Sequence, residues 1–247
     1  MEHDFVTPET STPHLATPAL SVGPEHLEKS AIHAPKGSFD SLLLPLIIHT
    51  RSMSDQTRQT PAQLERRIRI LETAMRMAGD GGYDAVQMRA VAEESGVALG
   101  TIYRYYSGKD ELLIAGLAGW LRRTRRRVET GTLQGDTPGD RLIFLLERSA
   151  ERTQQRPTLM GALITALGTT SPAAAQYKHQ VTEEMQAIVV TALGPDSGHD
   201  AEGVARVIGH VWSSALTRWV SGMAPDGSVG AELVHAAQML VAVPSRV

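Results

Sequence analysis

The feature of this sequence that most limits its possible folds is a pair of short helical segments separated by a tight turn that contains glycine. Apolar residues at helical spacing predict a first helix over about 87–95, and Gly96 ends it. Residues 97–100 form a turn, and a second short helix follows over about 101–106. Two helices joined in this way are the sequence form of a helix-turn-helix, whose second helix enters the major groove of DNA.

The segments on either side of this pair are also helical. A first long helix from Pro61 is predicted by an apolar side that repeats at spacings of four and three residues, and we expect the glycine cluster 79–82 to end it. Another long helix should run from about Ser107 to Thr130. Prolines and capping residues mark the rest, so the expected fold class is all-α, with further helices over about 138–155, 157–168, 172–193, 200–222 and 229–242.

Charge divides the chain into three segments. Residues 1–57 carry 3 basic against 7 acidic side chains, residues 58–128 carry 13 against 8, and residues 129–247 carry 8 against 12. A basic segment in an otherwise acidic chain is typical of a separate anion-binding domain. The basic segment coincides with the helix-turn-helix, which favours nucleic acid as its partner.

The first 59 residues differ from the rest because they hold six of the thirteen prolines and show no sustained period. A segment of this composition cannot bury enough apolar surface to order itself, so we predict disorder over 1–59. A second interpretation is that translation begins at Met53, which opens a polar lead into the first helix.

Composition excludes several classes of function. The chain has no cysteine, which removes disulfide scaffolds, cysteine-ligated metal and thiol catalysis. Its apolar run at 42–48 is too short to span a membrane, and the N-terminus lacks a signal-peptide pattern, so we expect a cytoplasmic protein without a membrane partner. No catalytic motif is present and the histidines of 129–247 are scattered, so we expect no enzyme activity, metal or cofactor.

The second short helix carries the candidate DNA contacts. Ile102 and Tyr106 share one side of it and belong in the core, which leaves the other side chains toward solvent. Arginine can bind guanine with two hydrogen bonds, and tyrosine can reach phosphates or thymine methyls. A lysine at a helix N-terminus suits a phosphate. The predicted contacts here are Gly100, Thr101, Tyr103, Arg104, Tyr105 and Lys109.

These residues resemble the DNA-binding domain of the TetR family of bacterial repressors over residues 63 to about 115, through GGYDAVQMRAVAEESGVALGTIYRYYSGKDELL. More narrowly, GGYDAVQMRAVA and GTIYRYY look like the KstR-type repressors of cholesterol catabolism in actinobacteria. The chain departs from the wider family at Val86 and Gln87, where threonines usually cap and anchor the second helix. We expect Gln87 and Arg89 to make the phosphate contacts there.

The resemblance also implies an inducer cavity in the second domain. Steroid-derived or other acyl thioesters are the effectors it suggests, although for any one of these residues the favoured interpretation is that it is simply core. Flexible methionine and broad tryptophan side chains suit an irregular apolar ligand. The predicted effector contacts are Met160, Leu163, Leu167, Tyr177, Met185, Ile188, Trp212 and Trp219.

Two surface features complete the expectations. The run of five arginines between 122 and 127 points around most of its helix, so we interpret it as a solvated surface matched to the helix dipole. A wide apolar stripe over 201–223, with part of 233–240, could form a self-complementary contact between two chains. A homodimer also follows from reading a palindromic operator.

The sequence therefore predicts a ligand-responsive, DNA-binding transcriptional repressor. An activator or effector-independent regulator of the same fold is the alternative, and a non-specific DNA-binding protein or an enzyme built on the C-terminal helices is less favoured. The expected parts are a disordered extension over 1–59, a helix-turn-helix domain over 60–115, and an effector-binding and dimerisation domain over 116–247.

Overall fold

The computed structural model describes residues 60–131, 133–195 and 197–242, and these residues form helices and connecting loops without a strand. The predicted disordered extension over 1–59 lies outside the described residues. Four helices make up the N-terminal part: α1 (Pro61–Ala85), α2 (Met88–Ser95), α3 (Leu99–Tyr105) and α4 (Lys109–Thr130).

Five further helices follow α4. A short 3-10 helix, Pro172–Ala174, leads directly into the third of them. Together with the N-terminal helices they confirm the all-α fold class. They are α5 (Pro138–Gln154), α6 (Pro157–Leu167), α7 (Ala175–Leu193), α8 (Ala201–Val220) and α9 (Ser228–Val241).

Local sequence chemistry fixes where two of these helices begin. At α1, the Thr60 hydroxyl accepts from the Gln63 backbone N–H while the Gln63 side chain accepts from the Thr60 N–H. At α5, Thr137 and Asp140 make the same reciprocal pair. Each pair satisfies two of the N–H groups that a helix start leaves unbonded. The hydrogen bonds from Thr137 also hold the pKa of the Asp140 carboxyl below its ordinary value.

The predicted helix ends need two corrections. The expected stop at the glycine cluster 79–82 was wrong for its first three residues, because the helix continues to Gly82 and breaks only there, where φ is +76°. The second helix of the pair begins at Leu99, two residues earlier than expected, because the carbonyl of Ala98 already accepts from the Thr101 N–H at 2.8 Å.

Among the described residues, the longest unbroken buried segment is the N-terminal half of α4. Its residues Glu111–Ala118 are all buried, although a helix at a surface buries only one side. Helices α1, α6 and α7 pack against α4, and α6 also packs along α1. Buried side chains form one continuous core from Ile70 in α1 to Ala237 in α9. The expected domain boundary between 115 and 116 falls inside this segment and stays a prediction.

The interpretation of the arginine run of α4 as a solvated surface was wrong for part of the run. Arg122 Nε donates to one oxygen of Glu184 at 2.9 Å, and Arg125 Nε donates to the other at 2.7 Å. Glu184 lies on α7 and its side chain is only 12% exposed. Burial lowers the pKa of the neighbouring Arg123. Part of the run therefore ties α4 to α7, because a partly buried carboxylate needs paired donors.

Gly96 tests the geometry of the turn between α2 and α3. Its φ of +65° lies in the left-handed region, and an added Cβ would meet nothing within 4 Å. Gly96→Ala should therefore destabilise the chain by about 1 kcal/mol through backbone strain alone, and Gly96→Asn by less. Gly79→Ala, which also places its Cβ in open space but within a helix, should instead stabilise it by about 0.5–1 kcal/mol. Urea denaturation measures the free energy of unfolding of all three variants. A Gly96→Ala variant as stable as wild type would contradict the turn geometry.

Candidate nucleic-acid interface

Two side chains hold the seven-residue helix α3 in place. Ile102 and Tyr106 are both fully buried, as their shared side of the helix predicts. The backbone N–H of Tyr106 donates to the Ile102 carbonyl at 2.9 Å and closes the helix. Because a helix this short is not stable alone, its position depends on these tertiary contacts.

The opposite side of α3 is open to solvent. Tyr103 is 51% exposed, Gly100 and Arg104 are exposed, and Thr101 and Tyr105 are partly exposed. The Arg104 guanidinium lies 5.7 Å from the centre of the Tyr105 ring. Within the described part of the chain, Arg104 makes no hydrogen bond or ion pair, so its donors remain available for a base or a phosphate.

Gln87 and Arg89 lie at the start of α2. Gln87 is the N-cap residue, yet its side chain makes no capping hydrogen bond and is exposed. Arg89 Nε is 3.7 Å from the Glu93 carboxylate, and both side chains are largely solvated. A solvated pair at this distance contributes little, so a phosphate could displace it. The two residues remain predicted contacts.

Lys109, at the first position of α4, already has partners within the chain, so its ammonium is not free for a phosphate. Its ammonium lies 3.7 Å from the centre of the Tyr83 ring and donates to the Tyr83 carbonyl at 3.4 Å. It is also 3.7 Å from the Asp84 carboxylate. Tyr83 in turn donates to Asp110, and burial, with this carboxylate next, raises the pKa of Tyr83 to about 12. A phosphate would have to share the ammonium with the end of α1.

Sequence reasoning missed Arg67, which connects α1 to two tyrosines. Arg67 Nε donates to the Tyr106 hydroxyl at 3.0 Å, and Nη2 donates to the Tyr177 hydroxyl at 3.1 Å. Burial raises the pKa of Tyr106 to about 12 and raises that of Tyr177, so both phenols are neutral at neutral pH. The one signal in the sequence is that Arg67 stands three residues after Leu64 and four before Leu71, beside the apolar side of α1.

The predicted effector contacts lie on α6, α7 and α8. Two of their polar groups already have partners within the chain: the Tyr177 hydroxyl accepts from Arg67, and Trp219 Nε1 donates to Asp226 at 2.8 Å. Leu167, Met185 and Trp212 are partly buried. The buried members of the set are Met160, Leu163, Tyr177, Ile188 and Trp219.

The apolar stripe predicted as a contact between chains lies largely inside the protomer. In α8, Val204, Ala205, Ile208 and Ala215 are buried against the rest of the same chain, as is most of the α9 set. The outward surface of the two helices carries other residues. These are Val207, His210, Ser214 and Arg218 of α8 and Ala231, His235, Gln238 and Met239 of α9.

Two absences hold for the described ranges. No helix within them is both long and apolar enough to cross a membrane. No group of three or more histidine, aspartate or glutamate side chains in the same residues could hold a metal ion.

Two family models match the chain. The model described as bacterial regulatory proteins of the tetR family matches residues 70–115, which hold α2, α3 and the start of α4. The model described as the tetracyclin repressor-like C-terminal domain matches residues 135–240.

Curated relatives cover most of the chain. The HTH-type transcriptional repressor KstR of Mycolicibacterium smegmatis is 35% identical over 190 residues, which are 76% of this chain and 93% of that protein. The repressor of the same name from Rhodococcus jostii is 36% identical over 186 residues, which are 75% and 87% of the two chains. The resemblance found in the sequence is confirmed.

Solved structures share the fold. A TetR transcriptional regulator from Rhodococcus sp. RHA1 superposes with a TM-score of 0.66 at 25% identity over 76% of this chain and all of that one. Thermus thermophilus FadR, a TetR family repressor solved in complex with lauroyl-CoA, gives 0.54 at 22% identity over 71% and 93%. By its family models, relatives and fold, the chain belongs to the TetR family of bacterial regulatory proteins, which are DNA-binding transcriptional regulators and not enzymes.

Proposed function

We propose that the chain is a cytoplasmic repressor that binds a palindromic DNA operator as a homodimer and is released by an apolar effector. The observation that carries the DNA-binding part is the division of α3 into two sides. Ile102 and Tyr106 anchor it in the core, while Tyr103 and Arg104 face solvent. Repression is supported by the similarity to the KstR repressors.

Arg104 should read a base, because its exposed guanidinium can bind guanine with two hydrogen bonds. A duplex enriched from randomised DNA by the wild-type chain serves as the operator. Arg104→Ala should weaken binding to it by roughly 5- to 150-fold and relax the preference at one base position. Arg148→Ala on α5, an exposed arginine paired with Glu151, is the matched control and should bind like wild type.

Fluorescence anisotropy at fixed ionic strength, repeated over a range of salt, measures both effects. Operator affinity and salt dependence that are unchanged in Arg104→Ala would show that α3 does not make the contact.

The homodimer is proposed on the outward surface of α8 and α9. Val207 and Met239 are 42% and 59% exposed there. Arg218 and Glu232 form a 2.9 Å ion pair between the two helices on the same protomer. A pair of helices with apolar residues outside and a packed core inside suits a four-helix contact between two copies. Two copies would place two α3 helices in major grooves one DNA turn apart.

Val207→Glu should convert the dimer to monomers, since two copies would bury like charges against each other. Sedimentation velocity should show wild type at twice the protomer mass and the variant at the protomer mass, with weaker operator binding. Thr165→Glu, on the exposed side of α6, adds the same charge elsewhere and should remain dimeric. A dimeric Val207→Glu would place the interface on another surface.

The effector is proposed to be an acyl or steroid thioester that binds among α6, α7 and α8. The side chains there are methionine, leucine, isoleucine and tryptophan, which suit an apolar ligand. The shared fold with a lauroyl-CoA complex supports the same class of ligand. Its effect is a population shift, so operator affinity falls in proportion to the ligand's preference for the released state.

Lauroyl-CoA and a CoA thioester of a steroid acid are the probes to use. At least one should weaken binding to the enriched duplex by about 5-fold or more, the lower end of usual coupling. Coenzyme A alone, which lacks the apolar part, should have no effect. Anisotropy titration measures the release; no response to either thioester would refute this class of effector.

A further inference from the structure

A buried, hydrogen-bonded bridge connects the C-terminal end of α3 to α7. Its centre is the Arg67 guanidinium, which donates through Nε to Tyr106 at 3.0 Å and through Nη2 to Tyr177 at 3.1 Å. Because different nitrogens serve the two tyrosines, both bonds exist together. The two rings lie 6.1 Å apart, and the guanidinium carbon is 5.8 Å from the centre of the Tyr106 ring. We call Arg67, Tyr106 and Tyr177 the Arg67 bridge.

The three residues come from elements with different tasks. Tyr106 closes α3, which carries Tyr103 and Arg104 on its exposed side. Tyr177 lies in the first turn of α7, the helix that also carries Met185 and Ile188. Arg67 lies on α1, which packs against both α4 and α6. The bridge is thus a direct contact between the DNA-reading helix and a helix of the C-terminal part.

The surroundings make the bridge sensitive to the position of α7. Tyr106 is fully buried and Tyr177 is 6% exposed, so water cannot readily replace a lost partner. The nearby carboxylate of Glu111 is engaged elsewhere, since one of its oxygens accepts from both the backbone N–H and the hydroxyl of Ser107. If α7 moves away, Arg67 loses the Tyr177 hydroxyl as an acceptor. Its hydrogen bond to Tyr106 then changes as well, because both bonds come from one guanidinium.

We infer that Arg67 is a positioning residue for operator binding: its simultaneous hydrogen bonds to Tyr106 and Tyr177 make the orientation of α3 depend on the position of α7. This rests on the proposed function, because it describes how that same DNA-binding surface is regulated. The bridge stabilises the arrangement in which α3 is anchored, and a displacement of α7 weakens it.

Tyr177→Phe is the sharpest test because it removes one hydroxyl from α7 and no atom from α3. Binding to the enriched duplex should weaken roughly 3- to 10-fold, the usual range for residues that couple distant sites. The salt slope should stay unchanged, because no phosphate contact is lost. Thr182→Val removes an exposed hydroxyl from the same helix. That hydroxyl donates to the Lys178 carbonyl and not to Arg67, so this variant should bind like wild type.

A double-mutant cycle separates the bridge from two independent effects. Arg67→Met should weaken binding, and adding Tyr177→Phe to it should cause no further loss, since the bond is already gone. If Arg67→Met fails to fold by circular dichroism, Tyr106→Phe, which removes the hydroxyl that accepts from Arg67 Nε, replaces it in the cycle. If the fold-losses of operator affinity in the two single variants multiply in the double variant, the two residues act independently and the inference is wrong.

Hydrogen exchange of the segment 97–107 provides a reading that does not require DNA. Tyr177→Phe should speed exchange there about 5-fold or more, while Thr182→Val should not. If the wild-type chain binds every duplex as weakly as random DNA, the proposed function fails. The exchange rates alone then test whether the Arg67 bridge holds α3 in place. Equal operator affinity of Tyr177→Phe and Thr182→Val would overturn the inference. If the wild-type chain shows no specific binding, equal exchange rates of residues 97–107 in the two variants would overturn it.

Discussion

The burial of Glu111–Ala118 on every side of α4 is the constraint on which the rest of the structure depends. A helix can be buried all round only if other helices surround it, and α1, α6 and α7 do so. The approach to α1 is close: a Cβ on Gly116 would lie 2.8 Å from the Met75 side chain. The element that follows α3 is therefore also the centre of the C-terminal packing, and the two parts share one core.

The shared core and its hydrogen bonds account for the placement of the seven-residue α3. α3 depends on Ile102 and Tyr106, and Tyr106 depends on Arg67. Farther along α4, Arg122 and Arg125 bind Glu184, which lies seven residues after Tyr177 on α7. Residues seven apart share a side of a helix, so α7 presents both polar contacts in one direction. A shift of α7 would strain both, which gives the C-terminal helices a physical route to α3 and the start of α4.

Much of this architecture was predictable because it depends on local patterns. The spacing of apolar residues predicted the helices and the burial of Ile102 and Tyr106, and Gly96 marked the turn. The position of the α1 break was not predictable, because glycine is tolerated in a helix and, of the three glycines in the cluster 79–82, only Gly82 adopts a positive φ. DNA contacts and effector contacts such as Arg104 and Met185 remain predictions, since exposure and burial do not identify a ligand.

The contacts that sequence reasoning missed are tertiary. Arg67 and Tyr177 are 110 residues apart, and Arg122 and Glu184 are 62 apart. A periodic pattern shows which side of a helix is apolar but does not show which helix covers it. The same limit explains the apolar stripe of α8, which was predicted partly as a contact between chains and is covered mainly by its own protomer.

The central claim is that the exposed side of α3 reads a base sequence. Competition binding of the wild-type chain tests it most directly, with the enriched duplex as the labelled DNA and random duplex as the competitor at one salt concentration. If α3 reads base edges, the wild-type chain should prefer the enriched duplex by roughly 10³-fold or more. A preference of only a few fold would contradict it, because binding through phosphates alone is nearly the same for every sequence.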